Sequence, residues 1–316
     1  MKKDVGRVST SGNKSTMNLS PPSPSCTTVY QQAEIIAHEQ IAEATWRIRI
    51  DCPHLAKTAC PGQFAMVRLA DQNDPLLARP LAVYDVFGDD QKIDHWQPTP
   101  SPTGRRNQKF VDFVYAVGGK FTTALTKLRP GDCISLWGPL GNGFETPAVK
   151  HLVLVAGGIG QTALLMLGRD FLAKVPSGHV TFCWGARHAK LFGHTEDFVN
   201  HGMQVSLATL DGSKGFHGTV IDLLDSMDTE NAFEATAQPA IACCGPEGMM
   251  AAVAKWTADR SFKCQVSLET PMACGIGICF SCVAPIIDQE GNWDYQRTCI
   301  EGPVFDSQHV DWGTMI

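Results

Sequence analysis

Cys274, Cys279 and Cys282 stand at the spacing C-x4-C-x2-C, and Cys299 follows at a distance. Three thiolates on one tight loop, completed by a fourth from a later strand, make the ligand pattern of a plant-type [2Fe–2S] cluster. Gly275 and Gly277 lie inside that loop, where the backbone must turn sharply and aim N–H groups at sulfur. Any one of these cysteines alone reads as a small buried hydrophobe. Zinc is the other metal that four thiolates suit, but its sites repeat a C-x2-C pair or add histidines at short spacing. Here no second pair occurs, and His309 lies beyond the fourth cysteine.

A second kind of chemistry is written in glycine. The turn Ala156-Gly157-Gly158-Ile159-Gly160 joins an apolar run to a helical pattern, the place where free backbone N–H groups and a helix dipole favour a pyrophosphate. Glycine there also serves any tight strand-to-helix turn. Cys244-Gly245-Pro246 forms a second such turn, so two strand ends converge on one crevice. Arg79-Pro80-Leu81-Ala82 sets a guanidinium at a strand mouth, able to hold a phosphate or simply exposed. Phe121-Thr122 opens a short helical run that offers either an anion-friendly terminus or a plain N-cap. Gly138-Pro-Leu-Gly-Asn-Gly-Phe144 lets the backbone pass close to a planar ligand or to the next domain, or acts as a hinge. The histidines are dispersed with no Ser/His/Asp arrangement, so no hydrolase chemistry and no catalytic side chain is assigned.

These residues need elements to hold them. A chain of 316 residues exceeds one ordinary core. Residues 1–28 are rich in Ser, Thr, Pro, Asn and Lys and read as a disordered extension. Residues 29–147 carry short β-like runs at Glu34 to Ala37, Trp46 to Ile50, Phe64 to Leu69, Leu81 to Phe87, Phe110 to Val117 and Cys133 to Trp137. Their alternation, as in Trp46-Arg-Ile-Arg-Ile50, predicts half-buried strands in a small antiparallel β-barrel. A Pro-rich loop from Asp89 to Lys109 interrupts them. From His151 strands alternate with helices, which predicts a parallel-sheet α/β domain over 148–262 and leaves 263–316 as a small cluster domain.

The net charge of −6 and the lack of a basic stripe exclude a nucleic-acid footprint. No apolar stretch is long enough to span a membrane, and no apolar signal core follows Met1-Lys2-Lys3. Twelve cysteines without such a signal point to a reducing compartment, the cytoplasm.

From about Val29 to Trp312 the chain resembles the electron-transfer subunits of bacterial NAD-linked dihydroorotate dehydrogenases, within the ferredoxin-NADP reductase superfamily. The likeness rests on motifs in fixed order: Arg79-Pro-Leu-Ala82, Lys120-Phe-Thr122, Gly138 to Phe144, Gly157 to Gly160, Cys244-Gly-Pro246, Glu269-Thr-Pro-Met272 running into the cysteine loop, Arg297-Thr-Cys299 and Gly302-Pro-Val-Phe305. The resemblance implies an FAD-binding barrel, an NAD(H)-binding domain and a C-terminal [2Fe–2S] domain. Carried over by motif, Arg79, Pro80, Leu81, Ala82, Val114, Tyr115, Ala116, Phe121 and Thr122 would line FAD. Gly157, Gly158, Gly160, Cys244, Gly245 and Pro246 would face the nucleotide, and Cys274, Cys279, Cys282 and Cys299 would hold the cluster. The chain departs from the family at Ala82, usually Ser, at Phe121, usually Gly, and at Leu210, often acidic.

A nicotinamide exchanges a hydride and a [2Fe–2S] cluster single electrons, so a flavin has to stand between them. The resemblance implies electrons arriving from an FMN-containing catalytic partner, within a heterotetramer of two of each subunit, and leaving on NAD⁺ in pyrimidine biosynthesis. A diaphorase subunit of a sulfhydrogenase or of a ferredoxin-linked transhydrogenase shares these parts. A non-catalytic redox sensor is a third possibility. Arg187, after Trp184-Gly-Ala, is placed either for a 2′-phosphate or at the crevice rim.

Overall fold

The computed structural model describes residues 27–70, 72–88, 107–230, 233, 238–288 and 290–315. The predicted extension lies almost wholly outside the described residues, as does the Pro-rich loop from 89 to 106.

The first half builds β1 (Val29–Ala42), β2 (Thr45–Asp51), α1 (Pro53–Thr58), β3 (Phe64–Leu69), β4 (Arg79–Ala82), β5 (Asp85–Gly88), β6 (Gln108–Ala116), α2 (Lys120–Leu125) and β7 (Cys133–Leu140). The strands form one antiparallel sheet in the order β4-β3-β7-β1-β2-β6-β5. β4 and β5 are consecutive yet occupy opposite edges, so the sheet must curl until its edges nearly meet. The predicted single strand Leu81 to Phe87 is therefore two. At Val83 and Tyr84 the chain changes partner: Val83 N–H donates to Gln63 O at 3.0 Å and Tyr84 N–H to Asp112 O at 2.9 Å. Ile35, Ile48, Ile50, Val67, Phe113 and Leu136 fill the inside of the curl.

The second half builds β8 (His151–Gly157), a 3₁₀ turn (Gly158–Ala163), α3 (Leu165–Lys174), β9 (His179–Ala186), α4 (Thr195–Asn200), β10 (Gln204–Thr209), β11 (Phe216–His217), α5 (Val220–Thr229), β12 (Ala240–Cys244), α6 (Glu247–Asp259) and β13 (Lys263–Ser267). The order is β11-β10-β9-β8-β12-β13-β16, where β16 is Val304–Asp306, with β8 to β13 parallel. Every residue of β8 is buried. Val153 and Val155 face one core while Leu152, Leu154 and Ala156 face the other, which is why an unbroken apolar run is needed here. The chain turns outward on both sides of β8, so the crevice of an open α/β sheet falls at the C-terminal ends of β8 and β12.

The sheet extends past the sequence boundary at 262. β13 pairs with β12, and β16 (Val304–Asp306) returns antiparallel to β13. The segment from 268 to 303 is thus an excursion from the nucleotide-domain sheet. It carries the cysteine loop and the hairpin β14 (Val283–Ile287) with β15 (Trp293–Arg297), and α7 (Trp312–Met315) ends the described chain.

Alternation in β2 predicts outward arginines; the structure buries both, leaving Arg47 at 1% and Arg49 at 2% exposure. The reason is that β6 supplies one counter-charge and the second domain, which packs over that face, supplies another. Arg47 Nε donates to Asp112 Oδ2 at 2.7 Å and its Nη1 to Asp197 Oδ2, in α4, at 2.8 Å. Tyr84 Oη donates to the same Asp197 oxygen at 2.8 Å, and Arg49 bonds both oxygens of Asp112. Arg169 of α3 pairs with Asp85 of β5. Charges this deep persist only when paired, so the two domains are joined by a neutralised ionic seam.

Candidate functional site

The four cysteines of the sequence pattern come together. Gly275 and Gly277 adopt φ of +71° and +80°, conformations that side chains resist, and let the loop wrap inward. Cys282 and Cys299 lie buried with their sulfurs 3.2 Å apart. Cys279 is exposed, and its sulfur sits 3.2 Å from Ser281 Oγ and within bonding reach of Cys274. The sulfurs thus form two pairs, Cys274 with Cys279 and Cys282 with Cys299. Two thiolate pairs on one loop and a later strand fit a two-iron centre.

Backbone donors complete the fit: Ile276 N–H points at Cys274 Sγ at 3.5 Å, and Gly277 donates toward Cys299. Arg297 holds the loop from behind, donating to Gly277 O at 3.0 Å and pairing with Glu301 at 2.5 Å. The Ser281 hydroxyl, then its N–H and Cys274, lower the Cys279 thiol to about 6. Burial, then Cys282 beside it, pushes Cys299 up to about 12. Cys279 thus offers a thiolate at neutral pH, while Cys299 holds its proton until a metal displaces it.

The loop packs on the barrel. Trp137 Nε1 donates to Cys274 O at 3.0 Å, and a Cβ on Gly275 would lie 2.5 Å from Met66 Cγ. The Gly138 to Phe144 stretch serves the next domain. Asn142 bonds Glu301 O, Val304 O and Val304 N at 2.8 to 3.0 Å, and a Cβ on Gly141 would meet Pro303 at 2.5 Å.

Behind the loop opens a cavity of about 810 Å³. All nine residues expected at a flavin line it: Arg79 to Ala82 from β4, Val114 to Ala116 from β6, and Phe121 and Thr122 from α2. Met272, Ala273 and Ser281, from the cysteine loop, close its far side. The walls are mainly aliphatic, with Arg79 and Lys120 as cations, a donor set that suits a planar ring system carrying a pyrophosphate. Thr122 behaves as a cap: its Oγ1 accepts from the N–H groups of Gly118 and Gly119 at 3.0 and 3.1 Å. Glu269, quoted in a motif but given no role from sequence, lines this cavity too.

A second cavity of about 860 Å³ lies over the C-terminal ends of β8, β9 and β12. Gly157, Gly158 and Pro246 line it, as does Arg187. Cys244 lines the first cavity instead, and Gly160 and Gly245 line neither. These two let the turns touch. A Cβ on Gly160 would lie 2.1 Å from Cys244 O, and one on Gly245 would lie 2.8 Å from Gly157 N. Trp184 Nε1 fixes the first turn by donating to Gly158 O at 2.9 Å. Gln161 lines the cavity with a buried Oε1 that has no partner among the described residues, an acceptor for a nucleotide donor to satisfy. The Ile41 to Thr45 hairpin of the barrel forms another wall; no local motif marks it, because its role comes from packing across the seam. Ala116 and Ile159 line both cavities.

Residues 269–311 match the iron–sulfur cluster binding domain of dihydroorotate dehydrogenase B. The chain is 35% identical over 281 residues to a Desulforamulus reducens protein named dihydroorotate dehydrogenase B (NAD(+)), electron transfer subunit, covering 89% of this chain and 97% of that one. A Geobacillus protein of the same name is 31% identical, covering 89% and 98%. Among solved structures, an NADH-dependent reduced ferredoxin-NADP oxidoreductase aligns with a TM-score of 0.72 at 27% identity, over 89% of this chain and 90% of that one. Phthalate dioxygenase reductase shares the fold, with a TM-score of 0.51 at 15% identity over 85% and 76%.

Proposed function

The chain belongs to the family of electron transfer subunits of dihydroorotate dehydrogenase B (NAD(+)), and from that premise we propose that it carries electrons from a dihydroorotate-oxidising partner to NAD⁺ in pyrimidine biosynthesis. When bound, a flavin exchanges single electrons with an iron–sulfur cluster and a hydride with a nicotinamide. One observation carries the reading. The first cavity is walled by the cysteine loop on one side and shares Ala116 and Ile159 with the second cavity on the other.

The residues divide the work. Cys274, Cys279, Cys282 and Cys299 would hold the cluster, with Arg297 and the two loop glycines fixing their aim. Arg79 to Ala82, Val114 to Ala116, Phe121 and Thr122 would seat the FAD, Arg79 at the mouth and the aliphatic side chains against the ring. Gly157, Gly158 and Pro246 would meet the nucleotide directly. Gly160 and Gly245 would hold the two turns in contact, and Cys244 would sit between nucleotide and flavin.

The partner is an FMN-containing catalytic subunit, in a heterotetramer of two of each. Support comes from the rim of the cluster loop, where Ile276, Ile278, Phe280 and Ile300 stand exposed, Ile278 at 74% and Phe280 at 63%. Large apolar side chains grouped around a redox centre mark a surface that another protein covers. No helix among the described residues is long and apolar enough to cross a membrane, and we place the complex in the cytoplasm. Co-expression with the catalytic subunit tests the reading: the purified complex should form NADH from dihydroorotate and NAD⁺, and lose this when the chain is omitted. A complex that reduces ferredoxin but leaves dihydroorotate untouched would instead select the transhydrogenase alternative.

A further inference from the structure

An iron–sulfur centre held by four thiolates is already anionic, and the electron it accepts adds one negative charge without making or breaking a bond. Donors aimed at its sulfurs stabilise the reduced form more than the oxidised one, so their number and kind set its potential. The groups around Cys274, Cys279, Cys282 and Cys299 therefore decide how readily the chain takes up an electron.

Most of these donors are backbone N–H groups, which any sequence of this loop shape would supply. Ile276 N–H points at Cys274 Sγ, Gly277 N–H toward Cys299 and Ser281 N–H toward Cys279. Among the described residues one side chain other than cysteine joins them: Ser281, whose Oγ stands 3.2 Å from Cys279 Sγ. A cysteine that ligates iron has no proton, so the hydroxyl is the donor in that pair. Both residues are exposed, and water competes for the sulfur. The hydroxyl is held in place from its other side. Ala273 N–H donates to Ser281 Oγ at 3.1 Å, which occupies a lone pair and leaves the hydroxyl hydrogen for the sulfur. Ala273 and Ser281 also line the first cavity, so this bond lies on the wall between the cysteine loop and the flavin cavity.

The other polar side chains nearby act on backbone. Thr270 bonds Thr298, whose Oγ1 donates to Cys282 O at 3.1 Å, and no hydrogen bond joins either hydroxyl to a sulfur. Arg297 directs its donors to Gly277 O and Glu301.

We propose that Ser281 tunes the cluster: its hydroxyl donates to Cys279 Sγ and raises the reduction potential of the centre, so that an electron from the partner is accepted more readily. The inference rests on the four cysteines holding a [2Fe–2S] centre.

The test uses the full chain loaded with FAD and iron, titrated anaerobically while the cluster is followed by electron paramagnetic resonance. Ser281→Ala should keep the wild-type iron content, FAD content and melting temperature, yet be harder to reduce. Loss of one hydrogen bond to a charged acceptor should shift the one-electron equilibrium about tenfold, which is about 59 mV toward negative potential. Ser281→Gly, which also lacks the hydroxyl, should match it, and Ser281→Thr, which keeps one on the same carbon, should return most of the shift. Thr270→Val removes a hydroxyl that reaches no sulfur from the same wall and should leave the cluster midpoint unmoved. A wild-type midpoint in fully loaded Ser281→Ala or Ser281→Gly overturns the proposal and leaves the functional reading intact, as does an equal shift in Thr270→Val. A wild-type chain that assembles no iron centre overturns both.

Discussion

Adding one methyl group at Gly160 should damage nucleotide binding more than any change to a cavity-lining glycine. The new Cβ would sit 2.1 Å from Cys244 O, 2.4 Å from Cys244 C and 2.7 Å from Gly245 N, all backbone atoms. Carbon contacts relax at roughly 3.5 Å, so the β8 and β12 turns must part by about 1.4 Å. Overpacking of this kind costs about 1–3 kcal/mol, and the upper end applies where no flexible side chain can yield. Because both turns frame the second cavity, about 3 kcal/mol expressed on binding is about a hundredfold in affinity. The assay is anaerobic titration of flavin reduction by NADH, with thermal unfolding of the same samples. Gly158→Ala is the contrast: nothing lies within 4 Å of its Cβ, and its φ of +52° carries only the left-handed penalty of roughly 1–2 kcal/mol. Gly160→Ala with wild-type melting and a wild-type NADH titration would refute the contact between the turns.

Three further outcomes follow from the geometry. Cys299→Ser should abolish the iron and its long-wavelength absorbance while FAD binding persists, because Cys299 lines no part of the flavin cavity; iron and flavin analysis of one preparation reads both. Arg47→Met should destabilise the chain by about 3–5 kcal/mol in chemical denaturation, since Asp197 is left buried without its cation, and Asp197→Asn in the same chain should recover part of the loss. His151, at the start of β8 with its ring tilted against that of His179 at 3.8 Å, is held down to about 4 by burial and then by the His179 charge, below its ordinary 6.5. The fold therefore favours the neutral ring. That contribution is complete above pH 6.5 and is lost as pH falls toward about 4, so His151→Leu should flatten this acid limb of the melting temperature.

What was legible in the sequence was local. Metal geometry dictates the spacing of Cys274, Cys279 and Cys282, and a strand buried on both faces must be apolar throughout, as β8 is. What was not legible depends on residues far apart. Arg47 and Arg49 read as the solvent face of β2, and only the partners at 112 and 197 make their burial tolerable. The break at Val83 follows from sheet closure, and the strands β13 and β16 belong to the nucleotide-domain sheet through pairings that no window of sequence contains. Glu269 stood in a recognised motif, but its place in the lining of the first cavity depends on the barrel that forms the other walls.

The order of the redox groups is a consequence of where the cysteine segment leaves the sheet. β13 lies beside β12, so the chain departs next to the nucleotide turn at Cys244 and must run across the open mouth of the barrel before β16 brings it back. That path sets Glu269 to Ala273 against the flavin cavity and carries the cysteines to its outer side, where Trp137 and Met66 of the barrel receive them. The nucleotide turns are already committed to the inner side by β8 and β12. No rearrangement of loops can place the cluster next to the nicotinamide without breaking the β13 to β16 pairing. On the proposed reading single electrons would enter through the exposed apolar rim at Ile278 and Phe280, and hydride would leave over Gly157 and Gly158. Ile278→Glu should accordingly weaken assembly with the catalytic subunit while leaving NADH-driven reduction of an artificial acceptor unchanged. Equal loss of both activities would mean that entry and exit are not separated as the topology requires.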